Sequence, residues 1–339
     1  MFKKRFVLLF ATLLIITQVS CSQQMNTTNS QKLSIVNTPT PTVAVKQPED
    51  DDLVTDEIFD KEKHKGELQV RFFNLEGDSK TGESMLITTP DGINMLIDSG
   101  IKKVGPQLVE YLKRLEIKKL DYIVASHFHS DHIGGMAAVI DEFDIAEVMI
   151  CEMPFNSNLK QELDEAIYRK NGNVRYLKSG DVFNLGDEVE VEVLSPAPDM
   201  VIPDGVIPEK VESNTFVNNH SIVMIMTYKN NSFLFPGDIY EECEKGLIEV
   251  FPRKLDVDVL KVPHHGTDTS SSNEFIKAVS PKIAVICTNV GFSKHRYDKY
   301  RAEGSDVYIT VIDGNVLVLS DGESISVITE KDRMGSFLK

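Results

Sequence analysis

The chain is short of positive charge. Its 339 residues carry 36 Lys and Arg against 52 Asp and Glu, a formal charge of −16. That deficit excludes a protein that grips nucleic acid over its whole surface, because phosphate binding needs a surplus of cations. Only a local basic patch is compatible with it. Cysteine is scarce as well, 4 in all, and Cys151, Cys243 and Cys287 lie far apart with no CxxC spacing. This excludes a disulfide-stapled scaffold, and their apolar neighbours mark them as buried free thiols. Beyond the N-terminus there is no hydrophobic run long enough for a membrane channel, and no internal repeat stands out.

What the N-terminus does contain is "MFKKRFVLLFATLLIITQVSC": Lys3, Lys4 and Arg5 followed by an apolar run of about a dozen residues, the pattern of an export signal. Ser20-Cys21 resembles the end of a bacterial lipoprotein signal, so Cys21 is the candidate lipidation site. Gln18, three positions before it, departs from the usual aliphatic residue. The expectation is an exported protein, membrane-attached through Cys21 or freely secreted. Residues 22–65 are rich in Asn, Thr, Ser, Gln and Pro and then turn acidic, so they predict a disordered linker. From residue 66 to 339 the pattern is dense: short β-rich runs such as "LQVRFF", "SMLITT", "LDYIVAS", "SIVMIMTY" and "KIAVICT" alternate with helical spacings such as "GPQLVEYLKRLEIKK". One α/β domain, its strands arranged in layers covered by helices, is the simplest parsing.

Histidine is also rare, with 8 in the chain, yet three fall in the six residues "HFHSDH" at positions 127–132. The preceding "LDYIVAS" predicts a buried strand, which puts the cluster at a strand's C-terminal edge, where ligand-binding loops sit. His127 and His129 project to one side in extended backbone, and Asp131 and His132 follow on the turn into a helix. Imidazole and carboxylate both ligate first-row metals, and four together imply more than one ion. Gly134 and Gly135 let the backbone pass close to a neighbour.

"HFHSDH" followed by "GG" resembles the HxHxDH signature of the metallo-β-lactamase superfamily, whose members share an αβ/βα sandwich and usually two metal ions. "LIDSG", "FLFPGD" and "LKVPHHG" resemble its other motifs, and the resemblance runs from about residue 67 to 330. It implies an α/β, four-layer αβ/βα sandwich, His127 and His129 on the first metal, Asp131 and His132 on the second, and Asp238 between them. It also implies that Asp98 orients the His loop, and that His264 or His265 completes the second site. His265 is the expected ligand, directly before Gly266, leaving His264 to support the ligands from behind or to face substrate. His220 is a further candidate ligand, lying where ordinary members place the third histidine of the first site. The donor set suits two Zn²⁺ ions and also admits Mn²⁺ or Fe.

"LKVPHHGTDTSSS" with "NNHSIV" is similar, more narrowly, to the C-terminal domain of ComEC-type competence proteins and their free-standing extracellular relatives, which include phosphorylcholine esterases. The compact Gly-Gln-Gly-Asp turn of that branch is lengthened here. The implied activity is a hydrolase cleaving phosphodiester bonds, with Asp131 and Asp238 orienting the attacking water. The competing readings are a lactone, thioester or β-lactam hydrolase, and a binding module without catalysis. Ser270 and Ser271, with Ser272, precede a predicted helix whose N-terminus could receive a phosphate. His295 is a further candidate substrate contact. The expected partner is a small or polymeric phosphodiester; the acidic balance does not favour nucleic acid, and no oligomer signal is present.

Overall fold

The computed structural model describes residues 42–43, 57–199, 201–207, 210 and 214–331. The expected export signal, Cys21 and most of the expected linker lie outside these residues. Strand β1 (Thr42–Val43) pairs antiparallel with β14 (Phe292–Ser293). Eight strands form a first sheet in the order β17-β16-β2-β3-β4-β5-β6-β7. They are β2 (Leu68–Phe72), β3 (Met85–Thr88), β4 (Asn94–Ile97), β5 (Lys119–Val124), β6 (Asp144–Cys151), β7 (Asn173–Leu177), β16 (Val316–Ser320) and β17 (Ile325–Thr329). Seven form a second in the order β15-β13-β12-β11-β10-β9-β8: β8 (Val182–Leu185), β9 (Val189–Ser195), β10 (Val223–Tyr228), β11 (Asn231–Phe235), β12 (Val259–Lys261), β13 (Ile283–Ile286) and β15 (Asp306–Ile309). The helices are α1 (Gly105–Arg114), α2 (Ser130–Ile133), α3 (Met136–Glu142), α4 (Asn158–Arg169), α5 (Asn214–Asn219), α6 (Glu241–Val250), α7 (Asn273–Val279), α8 (Lys294–Ala302) and α9 (Thr310–Asp313).

Side-chain alternation explains the layering. Along β10, Met224 and Met226 join the apolar cluster that links both sheets with α1, α3 and α4. Val223 and Ile225 point the other way, into a second cluster with Leu247 of α6, Phe275 of α7 and Tyr300 of α8. The central strands β10 to β13 are therefore apolar on both faces, which a period of two permits only when both faces are covered. This is the four-layer α/β sandwich that the sequence implied.

Parallel pairing decides where chemistry can sit. β4 pairs parallel with β5, and β11 with β12. All four strands deliver their C-terminal ends to one rim, where Asp98, His127, Asp238 and His265 follow them. The first turn of that rim is tight: a Cβ on Gly134 would stand 2.4 Å from the Lys102 backbone nitrogen, and one on Gly135 2.4 Å from the Ser99 carbonyl oxygen. The two glycines after the histidine cluster are thus required by backbone contact.

The fold begins earlier than residue 66. Residues Glu57–Phe59 form a 3-10 turn, and Ile58 is fully buried in the main core. The acidic, Pro-rich composition of the preceding stretch obscured this short anchor. Ile58→Ala is expected to lower unfolding free energy by about 3 kcal/mol, the cost typical of truncating a buried aliphatic side chain. Denaturant unfolding of the wild type and the variant measures it, and a loss below about 1 kcal/mol would put Ile58 outside the core.

Candidate metal centre

Asp98, directly after β4, adopts a left-handed backbone at φ 58° that turns its carboxylate back toward β5. There Oδ1 accepts the Ser126 N–H at 2.8 Å, while Oδ2 accepts the Ser126 hydroxyl at 2.7 Å and lies 2.8 Å from His132 Nδ1. The fixed Nδ1 leaves His132 Nε2 as the atom facing the site. Ser126 Oγ lies 3.1 Å from His127 Nδ1 and frees that ring's Nε2 in the same way. His127 Nε2 and His129 Nδ1 then converge at 3.0 Å.

A second group of donors lies beside this pair. Asp238 Oδ2 is 3.1 Å from His132 Nε2 and 3.2 Å from His265 Nε2, and Asp131 Oδ2 is 3.4 Å from His265 Nε2. One atom from each of Asp131, His132, Asp238 and His265 falls within 4.8 Å of all the others. His265 Nε2 is buried and has no hydrogen-bond partner, and Asp131 Oδ2 beside it meets the Lys80 ammonium at 2.7 Å. Buried polar atoms are almost always paired, so an imidazole nitrogen left unpaired beside two carboxylates fits a divalent cation. Two nitrogen donors in one group and a nitrogen–oxygen set in the other match the softness of zinc and also of manganese or iron.

Charge leads to the same conclusion. Glu83, Asp98, Asp131 and Asp238 surround this point, while the ammoniums in contact are Lys261 and Lys80, the latter 2.7 Å from Asp131. Four carboxylates face two ammoniums, so the imidazoles must take up protons or cations must be bound. Burial opposes a charge on His265, but Asp238 and Asp131 outweigh it and raise its pKa to about 10. Burial opposes a charge on His132 too, and Asp238, Asp98 and Asp131 hold it well above its usual value. Burial would likewise raise the Asp238 carboxyl, yet His132, His265 and Lys261 hold it well below. His127 is pushed down by burial and then by the neighbouring His132. Metal binding must therefore displace protons from His132 and His265.

The rim opens into a cleft of about 370 Å³ whose walls include Lys80, Phe128, Phe155, Lys210, Asn218, Tyr240 and His264. A hollow of 480 Å³ beside Lys65 and Asn94 holds none of the candidate ligands. His264 is half-buried with Nε2 3.9 Å from Asp238 Oδ2, while His265 is the histidine inside the donor group. The backbone achieves this division by placing His264 and His265 consecutively at φ 47° and 55°, a strained pair of the kind found at functional sites.

Four expectations need correction. His220 is not among the donors: its Nδ1 donates to the Phe216 carbonyl at 2.6 Å, and its ring lines a separate hollow with Cys243 and Phe251. On the wall beside His129 stands Asn218, 2% exposed, with its Oδ1 unpartnered and its amide against His129 and Tyr240. Ser270 and Ser271 are fully buried and face away from the cleft. The Ser270 hydroxyl donates to the Ile239 carbonyl at 2.6 Å, and Ser271 Oγ lies 2.9 Å from the Tyr300 hydroxyl. The N–H groups expected to take a phosphate are occupied from within, because Glu244 of α6 accepts from Ser271 at 2.5 Å and from Ser272 at 2.8 Å. His295 is exposed on α8, outside the cleft wall. Sequence reading also passed over Lys80, Glu83, Asn218 and Lys261. Lys261 carried a signal, as an isolated lysine inside the apolar strand run "VDVLKVP".

Residues 80–289 match the family model described as the metallo-beta-lactamase superfamily. The chain is 30% identical over 180 residues to the ComE operon protein 3 of Bacillus subtilis (strain 168), covering 53% of this chain and 21% of that protein. It is 27% identical over 209 residues to the competence protein ComA of Neisseria gonorrhoeae, covering 61% of this chain and 26% of that protein. The chain thus spans about a fifth to a quarter of the length of these curated relatives. Among solved structures, the metallo hydrolase Igni18 of the archaeon Ignicoccus hospitalis KIN4/I aligns with a TM-score of 0.44 and 14% identity, over 78% of this chain and 100% of that one.

The contrast between His220 and Asn218 is testable by metal analysis. After dialysis against a weak chelator, His220→Ala is expected to keep the wild-type metal content, while Asn218→Ala loses roughly 10-fold in affinity at one site. Equal loss in both variants, or in neither, would contradict this placement.

Proposed function

Because the chain belongs to the metallo-beta-lactamase superfamily, a family of hydrolases, we propose that it hydrolyses phosphodiester bonds at a centre of two divalent cations. One observation carries the choice of substrate. In a chain of formal charge −16, the cleft beside the donor atoms presents Lys80 and Lys210. Two ammonium groups on the cleft wall, that of Lys80 paired with Asp131, fit an anionic group better than a neutral ester or lactam.

His127 and His129 would hold one cation and Asp131, His132 and His265 the other, with Asp238 available to either group. Such cations supply Lewis acidity, lowering the pKa of water toward about 7 and neutralising charge on a phosphoryl oxygen. The chain's own residues do the rest. Asp131 and Asp238 accept hydrogen bonds from the attacking water and fix its direction. Lys80 binds a non-bridging phosphoryl oxygen. Burial first of all lowers the His264 pKa to about 4, so its ring is neutral at neutral pH. His264 Nδ1 lies 2.5 Å from the Thr269 hydroxyl, and in the tautomer that accepts from it Nε2 carries the proton and donates into the cleft. Tyr240, whose ring lies 4.9 Å from that of His264, offers a second donor to the leaving oxygen.

Export rests on residues 1–21 alone, and among the described residues no helix is long and apolar enough to cross a membrane. The experiment is hydrolysis of bis-p-nitrophenyl phosphate, p-nitrophenyl phosphorylcholine and a chromogenic β-lactam by the purified zinc- or manganese-loaded chain. Chelator-sensitive turnover of a phosphodiester is expected, with Lys80→Gln raising KM roughly 10-fold, the worth of one charge-assisted hydrogen bond. Turnover of the β-lactam alone would overturn the phosphodiester reading. With the full chain expressed in a bacterium, recovery of activity only from the cytoplasm would overturn export.

A further inference from the structure

Lys261 ends β12 with no exposed surface, and Glu83 beside it is equally buried. Burying an ion pair is costly, and apolar residues of similar volume often serve stability as well or better. A lysine retained there points to a role beyond packing. Its ammonium has three hydrogens and finds three acceptors: Glu83 Oε1 at 2.6 Å, the Gly237 carbonyl at 2.8 Å and Asp238 Oδ1 at 3.3 Å. The other Glu83 oxygen lies 3.2 Å from His265 Nδ1, an atom that also donates to the Cys287 carbonyl at 3.0 Å. The Glu83 N–H donates to the Asp131 carbonyl at 3.3 Å, and a Cβ on the preceding Gly82 would stand 1.8 Å from that same oxygen. One buried pair thus touches Asp238, His265 and the Asp131 backbone from behind and stands 3.8 Å from His132 Nδ1.

We propose that Lys261 is a positioning residue for the metal cradle: neutralised by Glu83, its ammonium holds Asp238 by Oδ1, so that Oδ2 alone faces His132 and His265. The inference rests on reading the site as a metal centre. Glu83 supplies the counter-charge and, through Nδ1, turns the His265 ring so that Nε2 meets the same point. Without the lysine, Asp238 is free to rotate and offer both oxygens to one cation, leaving the other without its bridge.

The test separates charge from position. Lys261→Met alone strands the Glu83 charge, whereas the double variant Glu83→Gln/Lys261→Met removes one positive and one negative charge and keeps the cradle's net charge. Metal-free wild type and double variant are titrated with Co²⁺ and followed by visible absorption, with melting recorded in parallel. The double variant is expected to melt close to wild type yet bind cobalt 10- to 100-fold more weakly at one site, with an altered absorption band. Cobalt affinity and spectrum within twofold of wild type would overturn the proposal and leave the pair a packing device. Should the double variant not fold, the ¹⁵N resonance of the Lys261 ammonium in the wild type decides. Protection from exchange and a shift on cobalt-silent zinc loading support the contact with Asp238, and an unprotected, unmoved resonance refutes it. Cobalt binding without phosphodiesterase activity would sink the substrate reading and leave this one standing.

Discussion

Carboxylates crowded at a buried rim repel one another, and the protein keeps them ionised only by gathering cations around them. Glu83, Asp98, Asp131 and Asp238 meet within a few ångströms at the ends of four strands, and Lys261 and Lys80 supply only part of the compensation. The remainder is positive charge on His132 and His265 or, in the reading advanced above, divalent cations that replace those protons. The local geometry follows from that need. Asp98 takes a left-handed backbone to reach His132, His264 and His265 take another to separate their roles, and Gly82 lets the Glu83 strand approach Asp131.

The rest of the molecule supplies rigidity to that rim. Parallel pairing of β4 with β5 and of β11 with β12 brings donors distant in the chain to one edge, and two apolar clusters fix the sheets against each other and against the helices. Sites built at the ends of packed strands hold their side chains more closely than sites on free loops. The cleft-side residues are a different population: Lys80, Tyr240 and His264 sit on connections after or before strands, where they can vary without disturbing the core.

Legibility followed the same division. The ligand run from His127 to His132 could be read because four donor residues fall within six positions, whereas Asp98, Asp238 and His265 could be read only through the resemblance of their segments to the superfamily's other motifs. Asn218 could not, since an amide next to His220 gives no chemical reason to prefer it over an imidazole. Only the fold shows that His220 turns back onto Phe216. The serine run misled for a similar reason: a helix N-terminus does attract an anion, but Glu244, 27 residues upstream of Ser271, is that anion. Ile58 was hidden by the polar composition around it. Lys261 and Glu83 lie 178 residues apart in sequence, and their pairing exists only once both sheets are folded.

The most direct measurement is anomalous diffraction from crystals of the metal-loaded chain, recorded on either side of the absorption edge of the bound metal. Two peaks are predicted, one at His127 and His129 and one at Asp131, His132 and His265, with Asp238 between them. A single peak, or a peak away from these side chains, would contradict the account.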